Sequence, residues 1–173
     1  MFRILRLALF GLVVLIALAP VAWSAPAPVA IGAQLPDAPL NPLFNGSGSL
    51  GNFRGKPLLI NVWASWCPPC RQEMGSLQKL ARNYDGKQFN IIGISTDDDR
   101  DAALAYLKRA GISFRNYIDQ RLALETLLGA DRLPLTVLVD SDGKVIKRIY
   151  GSRDWNSPEA ANLISQAFRL KSR

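Results

Sequence analysis

The apolar run Leu58-Leu59-Ile60-Asn61-Val62-Trp63-Ala64, broken only by Asn61, ends three residues before Cys67, and Cys67 and Cys70 are the chain's only two cysteines. A run this short and this apolar predicts a strand covered on both faces. From Pro69 to Asn83 the spacing changes, with Met74, Leu77, Leu80 and Ala81 recurring at helical intervals. A buried strand passing within a few residues into an amphipathic helix predicts an α/β layer structure, with the cysteines at the junction.

That position sets their chemistry. The first turn of a helix presents unpaired backbone N–H groups and the positive end of the macrodipole, a field that favours thiolate over thiol. Cys70 lies one helical turn beyond Cys67 on the same face. A molecule joined to Cys67 as a mixed disulfide can therefore be expelled by the second thiol. A structural staple is the first alternative, but so short a loop restricts the unfolded chain by only about 2 kcal/mol. Half of a metal site is the second. With no histidine and no further cysteine, four-coordinate zinc would have to recruit carboxylates or a second chain.

At 173 residues the chain is long enough for one domain with a full core. Residues 1–24 read as an export signal. Arg3 and Arg6 precede the apolar run Leu7 to Ala19, and Ala22-Trp23-Ser24 offers small residues before Ala25. An uncleaved anchor is the alternative; the uninterrupted run is shorter than the ~20 residues a span needs. No cysteine lies near this segment, which excludes a lipid-modified cysteine there. Removal of residues 1–24 takes two arginines and no acids, lowering the formal charge from +7 to +5. The basic residues are scattered and carry no aromatic-basic motif. They read as a solvated face, so no nucleic-acid partner is expected.

Residues 25–36 read as a linker and 37–173 as one domain, opened by a Pro- and Gly-rich lead-in in which Asn45-Gly46-Ser47-Gly48 signals a turn. Strand and helix patterns then alternate: strands at Leu58–Ala64, Phe89–Ser95 and Phe114–Ile118; helices at Pro69–Asn83, Asp98–Ala110 and Arg121–Leu128. Leu135–Val139 and Val145–Tyr150 around Ser141-Asp142-Gly143 predict a hairpin, and Ser157-Pro158-Glu159 opens a last helix through Leu170. This order predicts a mixed sheet, its early strands parallel and its last pair antiparallel.

With these residues in view, Leu59-Ile60-Asn61-Val62-Trp63-Ala64-Ser65-Trp66-Cys67-Pro68-Pro69-Cys70-Arg71-Gln72-Glu73-Met74 closely resembles the active-site segment of thioredoxin-like, TlpA-type thiol:disulfide oxidoreductases (the TlpA/ResA/DsbE-like group). Leu133-Pro134-Leu135-Thr136 resembles the family's cis-proline loop, and Asp140 to Lys144 the hairpin turn that follows it. The likeness spans roughly Leu50 to Arg169. It implies a thioredoxin-like fold, a central mixed β-sheet flanked by helices, behind the signal segment and a short lead-in. It implies Cys67 and Cys70 as the catalytic pair and a cis Pro134 against them, where the backbone at Leu133 pairs with a substrate strand. By the same resemblance Glu73 tunes Cys70 or relays its proton; a first-turn glutamate favoured by the helix dipole is the alternative. Trp66 is expected as a partly exposed platform for substrate and Trp63 as a core residue. Asn61 stands where thioredoxins proper carry a buried aspartate, so that aspartate's role does not transfer. Gly75 stands where the family often has a helix-kinking proline.

The resemblance further implies a periplasmic protein with no cofactor or metal, acting as a monomer on oxidised protein substrates. Electrons would arrive from a membrane reductase, and apocytochrome c is one candidate substrate. Reductases dedicated to cytochrome c maturation typically carry an acidic residue after the cis proline, however, and this chain has Leu135. Neither Pro68 nor Pro69 has an N–H, so the Cys67 thiolate gains few local donors and its pKa is only moderately lowered, which points to a reductant or isomerising exchanger more than to a strong oxidant. A peroxiredoxin-type peroxidase is one rival; its peroxide site needs a hydroxyl residue three positions before the reactive cysteine, where this chain has Ala64. A non-catalytic thioredoxin-like module holding a thiol or copper is the other.

Overall fold

The computed structural model describes residues 27–170, so the segment read as an export signal lies outside the described residues. Seven strands form one sheet: β1 (Pro39–Pro42), β2 (Gly48–Ser49), β3 (Leu58–Trp63), β4 (Asn90–Ser95), β5 (Arg115–Ile118), β6 (Leu135–Val139) and β7 (Val145–Tyr150), in the order β2-β1-β5-β4-β3-β6-β7. Strands β3, β4 and β5 run parallel, while β6 pairs antiparallel to both β3 and β7. Every residue of β3 and of β6 is buried. That is the cause of their unbroken apolar sequence: interior strands of a sheet covered on both sides have no solvent face to mark with polar residues.

One face of the sheet carries α1 (Pro68–Tyr84), α2 (Arg100–Arg109) and α4 (Pro158–Phe168), whose Met74, Leu77, Leu107 and Ile164 pack with Leu59, Trp63, Ile91 and Leu138 of the strands. The other face, presenting Ile60, Val62, Ile92 and Val137, is covered by α3 (Ala123–Leu128) and by Leu35, Leu40, Leu50 and Phe53 of the lead-in. The lead-in forms a short hairpin, β1 with β2, around the turn signalled at residues 45–48, followed by a 3₁₀ turn at Leu50–Phe53. It extends the sheet by pairing β1 with β5. Within the span read as a linker, residues 29–35 run along the domain: Val29 N–H donates to Leu127 O, Gly32 N–H to Val145 O and Leu35 N–H to Gly143 O, at 2.7–3.0 Å. Among the described residues, no helix is long and apolar enough to cross a membrane.

Helix α3 begins two residues later than the pattern predicts. Leu122 takes left-handed backbone angles, and the Asp119 carboxylate accepts from Ala123 N–H and Glu125 N–H, closing the helix start there. At α2 the start is set by Asp99, whose side chain accepts from Asp101 N–H. α1 runs unbroken through Gly75.

Candidate active site

Parallel strands deliver the ends of β3, β4 and β5 to one edge of the sheet, and the register Val62↔Leu135 brings the start of β6 to the same edge. The loop preceding β6, Leu133–Pro134, therefore continues alongside the end of β3, where the chain turns into α1. The Leu133–Pro134 peptide is cis. Leu133 packs against the cluster that contains both cysteines.

Cys67 is the N-cap of α1, with Pro68 and Pro69 at its first positions. Proline is well placed there, since its missing N–H belongs to the turn that has no partner in any case. The Cys67 N–H donates to Ala64 O at 3.2 Å, closing the turn that presents the pair, and Cys70 N–H points at Cys67 Sγ at 3.3 Å. The two sulfurs are joined as a disulfide, with Cα atoms 5.3 Å apart. Cys67 is 4% exposed and Cys70 fully buried. Both cysteines are therefore enclosed, Cys67 only slightly less than Cys70. What little exposure the pair has belongs to Cys67. Beside it, Trp66 stands 66% exposed, whereas Trp63 is fully buried with its indole N–H donating to Asn116 Oδ1 at 2.9 Å.

Glu73 projects from α1 into the protein and is 1% exposed. Its carboxylate accepts from Asn61 Nδ2 (2.7 Å), the Arg153 backbone N–H (3.1 Å) and the Trp155 indole N–H (3.0 Å). Burial pushes its pKa above the ordinary glutamate value, opposed by the three hydrogen bonds and the Arg153 charge. Such a group is poised to exchange a proton nearer neutrality than a surface glutamate. Asn61 also donates to Thr136 Oγ1 at 3.2 Å, tying the carboxylate to β3 and β6 together.

A second buried carboxylate, Asp97, escaped the sequence reading. It follows β4 and accepts from Ser65 N–H (2.9 Å), Ser65 Oγ (2.6 Å) and Ser95 Oγ (2.6 Å). Ser65 lies two residues before Cys67, so Asp97 holds the loop that carries Trp66. The available signal was an acidic residue at the carboxyl end of a parallel strand, the edge where such sheets build their sites. For Trp155 and Arg153 no local signal exists, because they reach Glu73 across about 80 residues of chain. Among the described residues no cluster of side chains suits a metal ion.

A cysteine pair closed as a disulfide at the first turn of a helix, on a mixed sheet flanked by helices and beside a cis proline, defines a thioredoxin-like thiol:disulfide oxidoreductase. Comparison with known proteins agrees. The Redoxin family model matches residues 30–164. The thiol-disulfide oxidoreductase ResA of Geobacillus thermodenitrificans is 32% identical over 124 residues, 72% of this chain and 71% of its own length. ResA of Bacillus thuringiensis subsp. konkukian is 32% identical over 123 residues, 71% of each chain. Among solved structures, a Chlorobium tepidum protein provisionally named thiol:disulfide interchange protein DsbE superimposes with a TM-score of 0.74 at 26% identity, covering 80% of this chain and 98% of that one. A thiol-disulfide oxidoreductase of Bacteroides fragilis does so with a TM-score of 0.63 at 28% identity, covering 76% and 99%. The chain belongs to the Redoxin family, as a thioredoxin-like protein of the TlpA/ResA/DsbE type.

Proposed function

We propose that the protein is an exported, periplasmic reductant of protein disulfides, with Cys67 as the attacking and Cys70 as the resolving cysteine. Residues 1–24 would serve as the export signal. In the reduced protein the Cys67 thiolate attacks one sulfur of a substrate disulfide, forming a mixed disulfide and releasing the other sulfur as a thiolate that takes up a proton. Cys70 then loses its proton and attacks Cys67 Sγ. The Cys67–Cys70 bond forms and the substrate leaves as its second thiol, two electrons having passed to it. Glu73 is the acceptor for the Cys70 proton, being buried one turn along the same helix with its pKa raised. Trp66 and the Leu133–Pro134 backbone would hold the substrate segment. A membrane reductase would restore the dithiol.

The observation that carries this reading is the pair itself, closed as a disulfide with Cys67 at the N-cap of α1 and Cys70 fully buried in its first turn, on the helix whose Glu73 carboxylate is also buried. Pro68 and Pro69 offer Cys67 Sγ no N–H, which supports a reductant: a modestly stabilised thiolate gives a potential in the thioredoxin region, about −270 mV, and not near the about −120 mV of strong oxidants. Apocytochrome c fits less well than a general set of clients, because Leu135 follows the cis proline.

Cys70→Ser should stall as a covalent adduct with its clients in cells, released by dithiothreitol. Cys67→Ser should form none. Absence of any reducible adduct with Cys70→Ser, or a potential near that of the strong oxidants, overturns the proposal.

A further inference from the structure

The two oxygens of the Glu73 carboxylate are not equivalent. Oε2 receives two N–H donors, the Arg153 backbone at 3.1 Å and the Trp155 indole at 3.0 Å. Oε1 receives one, the Asn61 carboxamide at 2.7 Å. Neither donor to Oε2 can accept a proton, since a backbone amide and an indole N–H only donate. Asn61 differs. Its carboxamide has both a donor and an acceptor end, and its Oδ1 is buried with no hydrogen-bond partner among the described residues. Turning that amide over would present Oδ1 to a protonated Oε1, so the Asn61 side accommodates either form of the carboxyl. The Oε2 side accommodates only an acceptor.

We propose that Trp155 is a positioning residue for disulfide exchange: with the Arg153 N–H it fixes Glu73 Oε2 as a permanent acceptor and directs the transferable proton to Oε1, which faces Asn61. Trp155 suits this because it is itself held on several sides. It is almost fully buried in the cluster that contains both cysteines, and its own backbone N–H donates to Ser76 Oγ, one turn beyond Glu73 on α1, at 3.0 Å. The loop between β7 and α4 is thereby fastened to α1 at two adjacent points. The charged group that acts on Glu73 is Arg153 of the loop; β3 contributes the neutral Asn61 and β6, through Asn61, the neutral Thr136. Removal of the indole N–H leaves the ionised carboxylate one donor short and makes it hold its proton more tightly.

The inference rests on the reading of Glu73 as the proton acceptor of Cys70, and its test separates the two. Reduced full-length protein is mixed with 4,4′-dithiodipyridine from pH 4 to 9. The first thiopyridone reports attack by Cys67, and the second reports expulsion by Cys70. Trp155→Phe should move the inflection of the second phase upward by about one pH unit, a tenfold change in proton affinity. In a Glu73→Gln background the same substitution should move nothing. A Glu73→Gln profile identical to that of the unsubstituted protein overturns the reading of Glu73 and the inference with it. A Glu73→Gln effect with an unmoved Trp155→Phe profile overturns the inference alone. Should Trp155→Phe fail to fold, the indole N–H resonance of Trp155 in the unsubstituted chain decides. It should titrate with the inflection of the second phase, and a pH-independent resonance would refute the proposal.

Discussion

Asp97 shows how a residue can govern a site without belonging to the reacting pair. Its buried carboxylate takes both the N–H and the hydroxyl of Ser65, and the same oxygen that receives the N–H also accepts from Ser95. Hydrogen bonds to an ionised acceptor are worth roughly 1.5–3 kcal/mol each, and leaving buried donors unmatched costs as much again per group. Asp97→Asn keeps the shape but turns an NH₂ toward hydroxyls that have been donating. We expect a loss of about 2–3 kcal/mol in urea unfolding at unchanged m, together with a several-fold slower first phase of thiol exchange as the Trp66–Cys67 loop loosens. Ser65→Ala removes a single donor and should cost about 1 kcal/mol. Equal stability of Asp97→Asn and the parent would show the carboxylate to be dispensable. These contacts were out of reach of a sequence reading for the same reason as those of Glu73. Cys67, Cys70 and Trp66 declare themselves because their chemistry is local, three positions apart on one turn. Asp97 meets Ser65 across 32 residues, and only the parallel β3–β4 register decides that meeting.

Helix α1 connects residue to fold. Its N-terminus is legible because proline at the first positions and the change of period at Cys67 both mark it, and its buried face follows from Met74, Leu77, Leu80 and Ala81. Elements whose limits depend on distant partners were less legible. α3 opens at Ala123 because Asp119 caps it, and β1 and β2 exist only because β5 offers an edge to pair with. Residues 29–35 carry the Pro- and Ala-rich composition of a linker yet lie hydrogen-bonded along the domain, which composition cannot reveal. Within α1, Gly75 fills the position where a kinking proline is common in the family. Here the helix continues through it, and it makes no room for a neighbour, since a Cβ there would meet nothing within 4 Å. Gly75→Ala should therefore stabilise the protein by about 0.5–1 kcal/mol through the helix alone, with exchange rates unchanged. Gly93→Ala in β4 is the contrast. Its Cβ would overlap the carboxamide of Asn116, which holds the Trp63 indole, so destabilisation by about 1–3 kcal/mol is expected. Thermal or urea unfolding of the two variants checks both signs; a destabilising Gly75→Ala would mean that α1 needs its flexibility.

For the molecule as a whole, burying a carboxylate on the helix that carries the cysteine pair has a cost that varies with pH. Glu73 has a folded pKa raised chiefly by burial, while in the unfolded chain it titrates as an ordinary glutamate. Between those two values the folded protein binds more protons than the unfolded one, and stability falls as pH rises, by at most about 1.4 kcal/mol per pH unit for one group. The stability Glu73 lends is thus complete below the unfolded value and disappears as pH climbs through the folded one. Asp119 and Glu125, also raised chiefly by burial, act in the same sense, whereas Asp37 and Glu159 at the surface are lowered and act in the opposite one. A difference between variants isolates Glu73 from the rest. Glu73→Gln cannot ionise, so urea unfolding of the disulfide-closed protein from pH 4 to 8 should show its stability gaining on the parent's as pH rises. The gain should level off above the folded pKa of Glu73. A gap that stays constant or narrows with pH would mean that Glu73 is ionised at least as readily inside the fold as outside, and that the donors from Asn61, Arg153 and Trp155 match or outweigh its burial.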